Sequence, residues 1–181
     1  MSTTLSGRPE AGEYLPYYEK YISLVAGDDI VARLEGQLSD TLALLGGVDE
    51  RQAESRYEPG KWSLKEVVGH VLDYERIFAS RALAFARGGK MAMPGFDQNE
   101  LMGSTPFDSY SLGELATEFE HARRANVSFF RRLGEEAWGR RGVASDAEVS
   151  VRALAYIMAG HELHHMQVIR ERYLSNAASR K

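Results

Sequence analysis

The chain contains no cysteine in 181 residues. That absence excludes disulfides, a thiolate nucleophile and any metal site with a Cys ligand, so sulfur chemistry here would need a thiol brought from outside. An excess of basic charge is lacking too. Lys and Arg number 22 against 26 Asp and Glu, interspersed rather than in blocks, for a net charge of −4 and a pI of about 5.8. No basic patch suited to phosphates results, which argues against a nucleic-acid partner. No apolar run approaches the roughly 18 residues that read as a membrane span, and the first residues lack the basic and apolar pattern of a secretory signal. The expectation is a cytoplasmic protein with no membrane partner. Strand signals are weak, and neither internal repeats nor low-complexity segments occur. With 44% hydrophobic residues, the chain can bury one contiguous core, and residues 1–181 read as a single domain.

What the chain does have is helical periodicity. In residues 29–45, Ile30, Leu34, Leu38, Leu42 and Leu45 recur three and four apart, after Asp28-Asp29 and before Gly46-Gly47, as in a capped amphipathic helix. Ahead of it, Tyr14, Tyr17, Tyr18, Tyr21 and Val25 repeat at close to one helical turn, and Pro16 stands where a first turn tolerates it. This predicts a short extra N-terminal helix over 16–25. Ser63 with Glu66 is a capping box opening a long helix to about residue 87, stopped by Gly88-Gly89. Ser111 with Glu114 opens another to about residue 133, with Leu112, Leu115, Phe119, Ala122, Phe129 and Leu133 on its apolar face. Residues 140–148 read as a polar connection to a last long helix over 149–174. Residues 90–110 hold Pro94, Gly95, Gly103 and Pro106 without a sustained period and predict a long loop. The fold class is all-α: four long amphipathic helices forming a four-helix bundle.

Three of the five histidines lie in Gly160-His161-Glu162-Leu163-His164-His165-Met166. On a helix, His161 and His165 are about 40° apart and roughly 6 Å apart at Cβ, so both rings can reach one metal ion. They share a stripe with Leu154, Ile157, Met158 and Val168 and face the interior, whereas His164 lies at its edge. His70 falls among Val67, Val71, Ile77 and Phe78 on the buried side of its helix. A lone inward histidine is more often a hydrogen-bonded core residue than a ligand. Three together favour a metal, because three buried imidazoles are otherwise costly to satisfy. His70, His161 and His165 are therefore the candidate metal ligands. His121, on a polar face with Glu118 and Arg124, reads as a surface histidine. Asp73, Tyr74, Glu162 and Asn126 are candidates for orienting the imidazoles or lining a pocket. The segment from His161 to His165 also fits the H-E-x-x-H pattern of zinc proteases, but Glu171 is the only carboxylate side chain downstream, leaving little room for a third ligand.

Taken together, Tyr57-Glu58-Pro59-Gly60-Lys61-Trp62-Ser63, His70-Val71-Leu72-Asp73-Tyr74-Glu75-Arg76, Pro94-Gly95-Phe96-Asp97 and Gly160-His161-Glu162-Leu163-His164-His165 resemble the DinB/YfiT-like family of metal-dependent enzymes. The resemblance runs over about residues 13–173. It implies a four-helix bundle of the DinB/YfiT-like type, often a homodimer, with a divalent metal held by one histidine of the second long helix and a His-x-x-x-His pair of the last. Carried over, these are again His70, His161 and His165. Some relatives are transferases or isomerases that use low-molecular-weight thiols such as bacillithiol or mycothiol. Three neutral imidazoles leave coordination positions open, as catalytic sites do, and suit Zn²⁺, Ni²⁺, Fe²⁺ or Co²⁺. The expected function is a metal-dependent transferase or hydrolase acting on a small molecule with such a thiol or a metal-activated water. The alternative is a non-enzymatic, stress-related bundle that binds a metal or ligand.

Overall fold

The computed structural model describes residues 7–175, so both ends of the 1–181 span lie outside the described residues. Four long helices dominate it: α2 (Ile30–Gly46), α4 (Leu64–Ala86), α6 (Leu112–Phe130) and α8 (Val151–Val168). The expected caps start the first three of them. Ser63 Oγ accepts from the Glu66 amide at 3.0 Å while Glu66 Oε2 accepts from the Ser63 amide at 2.6 Å, and Ser111 and Glu114 repeat the exchange on α6. Asp29 caps α2, its Oδ1 accepting from the Ala32 amide at 3.0 Å.

Shorter elements fill the connections. The extra N-terminal helix is smaller than its periodicity suggested: a 3₁₀ turn at Pro16–Tyr18 runs into α1 (Glu19–Ile22). Helices α3 (Glu50–Ala53) and α7 (Glu135–Gly139) are single turns. The expected loop over 90–110 contains α5 (Gln98–Ser104), capped by Asp97, and a 3₁₀ turn at Phe107–Ser109. The expected polar connection over 140–148 is a β-hairpin, β1 (Arg141–Ala144) with β2 (Ala147–Ser150), in register Arg141↔Ser150 through Ala144↔Ala147. Its two turn residues, Ser145 and Asp146, have φ of 52° and 63°, the left-handed geometry that matches hairpin twist. Neither is the glycine usually found there. Met93 joins the hairpin edge, donating to the Val143 carbonyl at 2.9 Å and accepting from the Ser145 amide at 3.1 Å. The last helix begins two residues later than expected and ends in a π-helical turn, Ile169–Leu174.

α4 packs against α6 and α8, and α2 packs against the same two helices, so α2 and α4 face each other across a diagonal. Buried residues form two apolar clusters at opposite ends of the bundle. One takes Leu34 of α2, Phe78 and Phe85 of α4, Phe130 of α6 and Leu154 and Ile157 of α8. The other takes Leu38 and Leu45 of α2, Leu64 and Leu72 of α4, Leu115 and Phe119 of α6 and Met166 of α8. The order in which each helix visits the clusters sets its direction: α2 and α8 run one way, α4 and α6 the other. Between the clusters lies a layer of buried polar residues, among them Gln37, Glu75, Arg123, His161 and Glu162, with Thr41 and His70 adjoining it on the side of the second cluster. The α6 stripe passes through Arg123, Val127 and Phe130, leaving Ala122 and Phe129 only partly buried.

Candidate metal centre

The seam of α4 and α8 carries the histidines into that layer. His70 Nε2 and His161 Nε2 are 3.1 Å apart, and one ring nitrogen of His165 joins them so that all three lie within 4.8 Å of one another. His70 and His161 are buried and His165 is partly buried. Rings hold the cluster in place. Trp62 and Tyr74 lie 5.0 and 4.6 Å from His70 between ring centroids, and Tyr21 and Phe78 lie 5.4 and 5.8 Å from His161.

Burial also sets the charge state. It pushes the His70 imidazole down to about 4, with His164 adding to the effect, and the His165 imidazole down to about 3, with His70 and His164 adding. His161 is held well below the ordinary histidine range by burial first and then by its histidine neighbours. At neutral pH all three are uncharged and carry lone pairs, the form in which imidazole binds metals. Two imidazole nitrogens on one tetrahedral ion at the usual bond length stand about 3.3 Å apart, close to the His70–His161 separation. The donor set therefore fits a divalent ion.

The four residues considered for support act differently. Glu162 turns away from the histidines: its Oε2 accepts from Arg123 Nη1 at 2.7 Å and its Oε1 from Thr41 Oγ1 at 2.6 Å. Asn126 donates to Glu75 Oε1 at 2.9 Å, and Asp73 has Arg76 as its charged neighbour at 3.8 Å. Only Tyr74 lines the site, by ring contact. Glu162 thus has no geometry for a protease base, as expected. Burial raises its pKa and Arg123 pulls the other way without cancelling the rise. His164 packs edge-on to Tyr21 at 5.5 Å, outside the cluster, and His121 is exposed.

Two cavities flank the histidines. One, of about 380 Å³, is lined by His70, His161, Tyr18, Tyr21, Tyr74 and Arg81, with residues 96–99 and Ser145 on the far side. The other, of about 370 Å³, reaches His164 and His165 past Trp62, Lys61 and Tyr173. Asn99 lines both, so the start of α5 stands between them. The segment over 90–110 therefore forms walls of the site.

Sequence reasoning missed Arg81, Ser145 and the buried pair of Glu75 and Arg123. Both arginines carried a readable signal, because each interrupts an otherwise apolar helical stripe: 70, 74, 78, 81 on α4 and 119, 123, 127, 130 on α6. Nothing local marked Ser145.

The sequence profile of the DinB superfamily matches residues 33–169. The chain belongs to the DinB superfamily. No protein among those of curated function is significantly similar to it in sequence. Among solved structures, this DinB chain is similar to YfiT from Bacillus subtilis, described as a probable metal-dependent hydrolase with an unusual four-helix bundle topology. The two share 14% identity and superpose with a TM-score of 0.69, over 94% of this chain and 93% of the other. At that identity the likeness establishes the fold, which agrees with the bundle described above.

Proposed function

We propose that this DinB protein is a metal-dependent enzyme acting on a small molecule, with a divalent ion held by His70, His161 and His165. The observation that carries the reading is the convergence of three neutral ring nitrogens beside a cavity of about 380 Å³. The description of YfiT as a probable metal-dependent hydrolase supports it. When bound, such an ion supplies Lewis acidity, lowering the pKa of a water or thiol placed against it. The chain's own residues confine the reaction. Tyr21, Trp62, Tyr74 and Phe78 restrict water around the rings, and the cavity walls position the substrate.

Hydrolysis is the leading chemistry, and transfer from a low-molecular-weight thiol is the second. The thiol version is favoured by the second cavity of about 370 Å³ against His165, which gives a separate reactant its own approach. The test is a screen of chelator-stripped protein reloaded with Zn²⁺, Ni²⁺, Fe²⁺ or Co²⁺. It is assayed against small esters and amides in water, then against electrophiles with bacillithiol, glutathione or coenzyme A. The expected result is one ion per chain and turnover that disappears on chelation. Stoichiometric metal without turnover in any arm removes the enzymatic reading, and no bound metal removes the site.

A further inference from the structure

The cavity beside the histidines contains a charge that the proposed metal chemistry does not use. Arg81 is 4% exposed. Its Nη2 donates to the Pro94 carbonyl at 2.7 Å and to Ser145 Oγ at 3.1 Å, and the Tyr18 hydroxyl lies beside it. Its Nε is buried and has no hydrogen-bond partner among the described residues. Three cationic side chains are buried among the described residues, Lys65, Arg81 and Arg123. Lys65 pairs with Glu50 and Glu54, and Arg123 with Glu75 and Glu162, but Arg81 has no carboxylate of the described residues within 4 Å. Asp97 lines the same cavity, but its Oδ1 is engaged by the Asn99 and Glu100 amides at the start of α5.

A buried, uncompensated cation destabilises a fold, and natural proteins keep one chiefly where something else supplies the counter-charge. The surroundings of Arg81 are built at a further cost. Ser145 and Asp146 occupy left-handed backbone without glycine, and that turn brings Ser145 Oγ onto the guanidinium.

We propose that Arg81 anchors a carboxylate on the substrate, at the end of the cavity away from the histidines. The inference rests on the reading of this cavity as the substrate site. One positive charge without other cations lining the cavity matches a single negative charge, such as one carboxylate, better than a phosphate dianion. The spacing defines the rest of the molecule. His70, Tyr74, Phe78 and Arg81 follow one face of α4 over eleven residues, about 16 Å of helix, and side chains lean toward the helix N-terminus. The anchored carboxylate would therefore sit on the order of 10 Å from the histidines, with the Tyr74 and Phe78 rings beneath the span between. The substrate class is a monocarboxylic acid with an apolar or aromatic middle and its reacting bond at the other end.

The test uses metal-free protein, so that a carboxylate cannot bind to an ion instead. 4-Phenylbutyrate and its uncharged amide, 4-phenylbutyramide, are titrated by ligand-observed NMR against wild type, Arg81→Gln and Arg81→Lys. The expected result is at least about tenfold tighter binding of the acid than of the amide to wild type. Arg81→Gln should reduce that preference to within about twofold, and Arg81→Lys should keep part of it. Equal affinities for wild type, no binding of either probe, or an unchanged preference in Arg81→Gln would each overturn the proposal. The comparison on wild type alone decides if Arg81→Gln does not fold. Metal stoichiometry, measured in parallel, separates the two readings. Acid-selective binding without metal uptake leaves the anchor and removes the enzyme, whereas metal uptake without acid selectivity does the reverse.

Discussion

His161 sits among Tyr21, Tyr74 and Phe78 and His70 between Trp62 and Tyr74, so the imidazoles of this DinB protein are oriented by ring contact and not by carboxylates. Packed rings fix the plane of an imidazole and leave its tautomer open, so the nitrogens can turn their lone pairs to a common ion. Alanine at His70, His161 or His165 is therefore expected to weaken metal binding by about 100-fold or more, beyond the usual loss of a supporting residue. Competition with a chromophoric chelator reads the affinity, and far-UV circular dichroism should show the helices intact. His164→Ala should stay within about threefold of wild type. Stoichiometric binding retained in His161→Ala would contradict the assignment. These three residues were legible in the sequence because helical spacing places two of them together and apolar neighbours mark all three as inward. Arg123 and Arg81 break apolar stripes, but their roles were not legible, since charged side chains are ordinarily solvated and their compensation comes from other elements: Glu75 and Glu162 for one, Ser145 and the Pro94 carbonyl for the other.

At the scale of elements, the joint of α1 with α8 is the tightest contact near the site. A Cβ at Gly160 would collide with the Tyr21 carbonyl and its Cα, and no side-chain rotation relieves a clash between two backbones. Gly160→Ala is expected to push α1 off α8 and cost about 1–3 kcal/mol or more, read as a lower urea midpoint with an unchanged slope. Tyr21 would move with α1, so weaker ring packing on His161 should accompany the loss. The long helices were readable from their capping boxes and periodic stripes. The hairpin was not: its strands have four residues each, and Ser145-Asp146 lacks the Asn-Gly or Asp-Gly signature of a two-residue turn. Helix α5 could have been found, because Asp97 with Glu100 three residues later repeats the capping pattern used elsewhere.

Across the whole molecule, the polar layer ties the four long helices together. Arg123 donates from Nε and Nη2 to both oxygens of Glu75 at 2.7 and 2.8 Å, and from Nη1 to Glu162 at 2.7 Å and to the Leu34 carbonyl at 3.2 Å. Burial alone would lower its pKa, but the two carboxylates raise it above the ordinary arginine value. Arg123→Met strands both carboxylates in the core and should cost about 3–5 kcal/mol by denaturant titration. The neutral histidines give the metal-free protein an acid limit. Their folded pKa values, about 4 for His70 and about 3 for His165, lie below the ordinary 6.5, so the unfolded chain takes up protons that the folded chain refuses. Stability is complete above about pH 6.5 and falls as pH drops through 4 toward 3, by about 3 kcal/mol from His70 alone. A urea midpoint that stays flat between pH 7 and pH 4 in chelator-treated protein would show that these imidazoles are not buried as described.

The diagonal placement of α2 and α4 leaves α8 to close the bundle, and it closes against α4 at residues 91 positions apart in sequence. A chain without cysteine cannot fasten such distant segments covalently. An ion shared by His70 and the α8 pair would be a reversible clasp between an early helix and the last one. By mass action it would add about 4 kcal/mol of folding stability at a thousandfold excess of free metal over Kd. Metal supply would then govern how long the folded chain survives as well as whether it can react.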